Sequence, residues 1–232
     1  MRGIVKRVGV LGVGLALIAL GDGAATSRAV PEILPVYEQG SAFKYTTEVH
    51  ELTGAVRAYV TVAWDDPAAV ERYREANASR IRTLIASGRG ESVPVTVTFA
   101  EPVPPSEVER LAEDVGFTVA YYTLVGRSSD VDRWTRTVDA HFVPLSQVAT
   151  SETIRNHRTG ADHHVRFLGV MVLKGTVAAT GDGLGRLAED PRVYLADTTA
   201  VEVLDRLARD GRYAGKPVES VGLETPFWSF DW

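Results

Sequence analysis

Residues 168–197 read LGVMVLKGTVAATGDGLGRLAEDPRVYLAD, an apolar run, a short glycine-punctuated segment with a helical pattern, and a second apolar run ending at Asp197. A near-continuous apolar run of this kind is the pattern of a strand buried on both faces. Asp190-Pro191 closes the helix, because a residue before proline is pushed out of helical conformation. The stretch is therefore one strand-helix-strand unit, and Gly181 to Gly185 make the turn that lets its helix pack close.

Working outward, residues 93–124 (VPVTVTFAEPVPPSEVERLAEDVGFTVAYYTL) repeat the layout. Val93, Val95, Val97 and Phe99 alternate with Pro94, Thr96 and Thr98, a half-buried strand with one apolar face. The helix that follows carries Arg110-Leu111-Ala112-Glu113-Asp114, matched in the later unit by Arg186-Leu187-Ala188-Glu189-Asp190. Ser106 and Glu109 have capping-box spacing, with Pro105 the alternative first helical residue, and Gly116 supplies the left-handed stop. Set end to end the order is strand, helix, strand, strand, helix, strand. Right-handed crossovers then let the two units interleave into a four-stranded antiparallel sheet with both helices on one face. The fold class predicted is α+β, a ferredoxin-like split arrangement over residues 91–199 with a long insert, 126–165, between its second and third strands.

The first strand, Val95-Thr96-Val97-Thr98-Phe99, and the run Leu187-Ala188-Glu189-Asp190-Pro191-Arg192-Val193-Tyr194-Leu195-Ala196-Asp197 resemble the prodomains of subtilisin-type proteases and their free inhibitor relatives. The resemblance covers about half the chain and implies the ferredoxin-like fold. The chain departs from that family in its insert of about 40 residues and in an appended helix and aromatic tail.

Around this core the remaining pieces are assigned by periodicity. Residues 30–41 carry prolines and a glycine without periodicity and read as an extended lead-in. Val49, Leu52, Val56, Tyr59 and Ala63 step by three and four, which predicts a helix. Thr46, Thr47, Val56, Val60, Thr61 and Val62 are good strand formers and offer a strand pair as the alternative. Asp65-Asp66-Pro67 starts a helix that runs to Gly88 with Val70, Tyr73, Ile81, Leu84 and Ile85 inward and Arg72, Glu75, Arg80 and Arg82 outward. Residues 30–90 are thus expected to hold a lead-in and a helical pair. Residues 200–232 are expected to hold a final helix, with Thr199 and Glu202 at capping-box spacing, and a tail.

The first 29 residues carry Arg2, Lys6 and Arg7, an uncharged stretch from Val8 to Leu20, and a small-x-small end at Ser27-Arg28-Ala29. This is the pattern of a secretory signal, and 13 apolar residues fall short of the ~20 that span a bilayer. The expectation is an exported protein, extracellular or in the cell envelope, with membrane contact only through an uncleaved signal. Its removal takes away four basic residues and one acid, Asp22, moving the net charge from −5 to −8. Nucleic-acid affinity needs clustered Lys and Arg, so nucleic acid is excluded as a partner. The chain has no cysteine, so packing alone must stabilise it outside the cell.

The residues that carry chemistry are sparse. The insert holds His141, His157, His163 and His164, which together with Asp139 and Asp162 are the candidate ligands for zinc, copper or nickel, although no pair has the i, i+4 spacing of a helical zinc site. Solvated loop histidines are the simpler account. There is no Gly-x-Ser-x-Gly elbow, and the glycines at 181, 183 and 185 lack the Lys-Ser/Thr of a phosphate loop. Neither a catalytic residue nor a cofactor is expected. The tail, with Phe227, Trp228, Phe230 and Trp232, is either self-packed or an aromatic anchor for a partner. The expected function is a non-enzymatic exported module binding protein or peptide. The alternatives are a hydrolase or metal-dependent enzyme built on the insert histidines, and an envelope scaffold.

Overall fold

The computed structural model describes residues 34–36, 42–88, 92–129, 133–155, 160–178 and 182–226. The signal at 1–29, His157 and the tail Phe227, Trp228, Phe230 and Trp232 lie outside the described residues. Within them the chain is an α+β protein built on two sheets.

The larger sheet grows from the two repeated units. The first is β4 (Ser92–Val103), α2 (Pro105–Val115) and β5 (Phe117–Arg127); the second is β8 (Asp162–Ala178), α3 (Gly183–Glu189) and β9 (Val193–Asp197). The insert supplies β6 (Trp134–Asp139) and β7 (Ser151–Arg155). Strand order is β6-β5-β8-β4-β9, with β7 paired to the protruding end of β8, and every pairing is antiparallel. Each unit's two strands are thus separated by one strand of the other unit. Val93, Val95, Val97 and Phe99 of β4 meet Val108, Leu111, Leu184 and Leu187 of α2 and α3 in one buried cluster. Alternation sends Thr96 and Thr98 to the opposite face.

Pro105, not Ser106, opens α2, and Gly116 ends it at φ 66°. The glycine turn before α3 has a packing reason. A Cβ on Gly183 would sit 2.2 Å from the Val115 carbonyl oxygen, so the start of α3 lies directly against the end of α2. Gly183→Ala should lower the denaturant midpoint by an amount worth at least ~1 kcal/mol, since backbone rather than a yielding side chain blocks the new methyl.

The smaller sheet corrects the N-terminal reading. Its order is β1 (Leu34–Val36), β2 (Lys44–Val49), β3 (Val56–Thr61) and β10 (Val218–Leu223). Residues 44–61 are a β-hairpin, not the first member of a helical pair. Val56, Ala58 and Val60 are buried, while Tyr59 and Thr61 are exposed, so a period of two prevails over the three-four spacing, and Leu52 stands in the turn 92% exposed. The second expected helix is real: α1 (Pro67–Ser87) has Asp66 at its N-cap, accepting from the Ala68 N–H at 2.9 Å, and left-handed Gly88 at its end. The final helix, α4 (Thr199–Arg209), is also present, but Thr199 and Glu202 make no capping box. Asp197 instead accepts from the Thr199 N–H, and Glu202 turns to two arginines.

β10 runs parallel to β3 and ties the end of the described chain to its beginning. Phe43, Tyr45, Val56, Val60, Leu195, Val203, Leu207 and Tyr213 form the second buried cluster, between the small sheet, β9 and α4. α1 joins the two cores, with Tyr73 in the second and Ile81 in the first. None of the helices among the described residues is long and apolar enough to cross a membrane.

Candidate functional site: an arginine cleft at the seam of two cores

The seam between the cores is polar. Tyr73, Asn77, Asp197, Thr198 and Thr199 are all buried there. They come from α1, from the end of β9 and from the link into α4, so the apolar strand of residues 193–196 delivers Asp197 to a site that α1 closes.

Their hydrogen bonds form one connected set. Tyr73 donates its hydroxyl proton to Asp197 Oδ2 at 2.5 Å, and since that proton is committed, Thr199 Oγ1 donates to the Tyr73 oxygen at 2.9 Å. Asp197 Oδ1 accepts from the Thr199 N–H at 2.8 Å. Asn77 Oδ1 accepts from the Thr198 N–H at 3.0 Å and from Arg80 Nη1 at 2.8 Å. Asn77 Nδ2 donates to the Tyr73 carbonyl at 3.2 Å. Arg80 Nη1 also donates to Thr199 Oγ1 at 3.2 Å. Buried polar groups are thereby satisfied, as a low-dielectric site demands.

Electrostatics follow the burial. Burial pushes the Asp197 carboxyl above its ordinary value, only partly offset by the Tyr73 hydroxyl and the Thr199 N–H. Burial, then the negative charge of Asp197, raises the Tyr73 phenol well above its usual range, so it stays a proton donor. Lys174, opposite Thr96 on β8, feels the same carboxylate; burial pulls its ammonium down while Asp197 pulls it up.

Arg80 carries this network to the surface. Its side chain is 12% exposed, and Nη2 is paired with Glu202 Oε2. Glu202 Oε1 accepts from Arg206 Nη2 at 2.5 Å, and the Arg206 guanidinium lies over the Phe43 ring at 5.2 Å. Burial raises the Glu202 carboxyl, but Arg80 and Arg206 outweigh it and hold it below its ordinary range. These groups line a cleft of about 740 Å³ with Ala42, Arg72, Glu75 and Ala76. Pockets at the join of two packed units are favoured ligand sites, and a guanidinium fork held by side chains is a ready binder of carboxylate or phosphate.

The insert is differently disposed from its reading as a histidine-bearing loop. It carries β6, β7 and the start of β8, joined by turns. His163 and His164 are neighbours on β8, opposite Ile154 and Thr153, and strand alternation turns them to opposite faces. His141 stands in the turn after β6, with its ring against Phe142. Among the described residues no group of three or more His, Cys, Asp or Glu converges on a point where an ion could sit. The residues that do converge went unmarked in the sequence: Arg80 reads as an outward charge, Tyr73 as one more apolar position, and Glu202 as a helix cap. Only the polar trio Asp197-Thr198-Thr199, set directly after an apolar strand, signals a buried polar site. No protein-family model, curated protein or solved structure matches the chain.

Proposed function

We propose that this chain is an exported, non-enzymatic binding module for protein or peptide, and that a partner engages the cleft between α1 and α4. The observation that carries this reading is the placement of Arg80. The most elaborate hydrogen-bond set among the described residues ends in a single guanidinium at the floor of a cleft, beside a second guanidinium stacked on an aromatic ring. A rigid cation beside an apolar wall suits recognition, because little side-chain entropy is lost when a ligand arrives. The insert histidines supply no comparable arrangement within the described residues. We further propose that the large sheet is the ferredoxin-like split arrangement, a reading supported by the order β5-β8-β4-β9, its antiparallel pairings and the contact of α2 with α3. The aromatic tail, Phe227, Trp228, Phe230 and Trp232, is a second surface proposed for partner contact.

The test is capture of partners from secreted and envelope fractions with the wild-type protein and with Arg72→Glu, a change at an exposed position on the cleft rim. Wild type should retain a partner that the variant loses. Equal retention would remove the cleft from the interface, and turnover of a substrate by the purified protein would overturn the non-enzymatic reading.

A further inference from the structure

Resting on that reading, we propose that the cleft recognises a single carboxylate, the acidic side chain of an extended peptide, held by Arg80 and Arg72 beside the Phe43 wall. The site already shows how it holds this group. Glu202, a residue of its own α4, occupies the space between Arg80 and Arg206 with one oxygen to each. Arg72 lines the same cleft from α1, and among the described residues its ion pair is a long, exposed one with Asp66 at 3.9 Å.

Charge selects among anions. The described lining residues comprise three arginines and two glutamates, Glu75 and Glu202, a balance of one positive charge. A carboxylate brings one negative charge and leaves the cleft neutral. A phosphate dianion would leave an excess negative charge beside Glu202 in a partly desolvated space, where like charges repel strongly. Glu75 is exposed, so solvent screens its opposition to an incoming anion more than it screens the attraction of half-buried Arg80. The planar fork of arginine matches the planar carboxylate, which lysine would not reproduce.

Glu202 makes the proposal separable from a merely structural role for these arginines. In Glu202→Gln the amide is isosteric but uncharged, and both guanidiniums turn their full charge to the cleft. Calorimetric titration with acetyl-Ala-Glu-Ala-amide, its Gln counterpart and inorganic phosphate should show the Glu peptide binding at least tenfold more tightly than the other two. Arg72→Gln should weaken the Glu peptide about fivefold, and Glu202→Gln should tighten it by a similar factor, a gain that loss of folding cannot produce. Equal binding of the Glu and Gln peptides, stronger binding of phosphate, or no gain in Glu202→Gln would each overturn the proposal. If partner capture still depends on Arg72 while the Glu and Gln peptides bind alike, the binding module stands and the carboxylate assignment falls.

Discussion

Leu187→Ala should cost about 2 to 5 kcal/mol of folding stability. Leu187 is fully buried on α3, in the cluster that also holds Val97 and Phe99 of β4 and Leu111 of α2. α3 has only seven residues and contacts α1, α2, β8 and β9, so few of its own hydrogen bonds hold it and tertiary packing must. Truncation leaves a cavity at the meeting point of both units, where the backbone contact between Gly183 and Val115 resists collapse. Equilibrium denaturation with unchanged slope should show a shifted midpoint. A cost under about 1 kcal/mol would mean that α3 is not integral to the core.

How much of this was legible depends on which interactions are local. The strand-helix-strand units were readable because alternation in residues 93–99, the apolar run at 168–173 and the closing Asp190-Pro191 are each set by near neighbours. Among the apolar residues of the two units, Val97, Phe99, Leu111, Val170 and Leu187 share a cluster against which Val119 packs, whereas Val172 and Leu195 belong to two others. Leu195 stands apart because of the second sheet, whose existence the sequence concealed, while Val172 lies with Val125 and Met171 within the larger sheet. β10 has one buried residue, Leu223, and its strand character comes from pairing with β3 more than 150 residues earlier, an association that no local pattern encodes. The hairpin at 44–61 reads as a helix because threes and fours can be counted through residues that also alternate by twos, and only a partner sheet decides between them. The cleft was hidden for the same reason. Arg80, Glu202 and Arg206 are ordinary surface charges on two amphipathic helices until α1 and α4 are brought together, after which one carboxylate serves two guanidiniums.

Tyr73→Phe should destabilise the protein by about 3 kcal/mol at neutral pH, the upper end for a stranded buried acceptor because the stranded group is a carboxylate. The ring would still pack against Trp64 and Phe43, at 5.5 and 6.2 Å between centroids, so the loss isolates the hydroxyl. Asp197 Oδ2 would then lose the Tyr73 hydroxyl donor, while Thr199 Oγ1 would lose its acceptor. The charges that face this carboxylate are Arg80, from α1, and Lys174, from β8, and neither makes an ion pair with it. Asp197→Asn should cost far less, because the amide oxygen can still accept from the Thr199 N–H and the amide group can donate to Tyr73, whose proton then turns to Thr199. In the Asp197→Asn background Tyr73→Phe should therefore lose most of its effect, a coupling that a double-mutant cycle measures. A pH scan supplies an independent reading. The folded phenol is raised above its unfolded value near 10, so its contribution is complete below pH 10 and is lost as pH rises toward the folded value, because the unfolded chain releases that proton first. Wild type should lose stability above pH 10 more steeply than Tyr73→Phe, by about 1.4 kcal/mol per pH unit. Equal alkaline slopes, or additive effects in the cycle, would show that the Tyr73 hydroxyl does not hold Asp197 in the way its 2.5 Å hydrogen bond indicates.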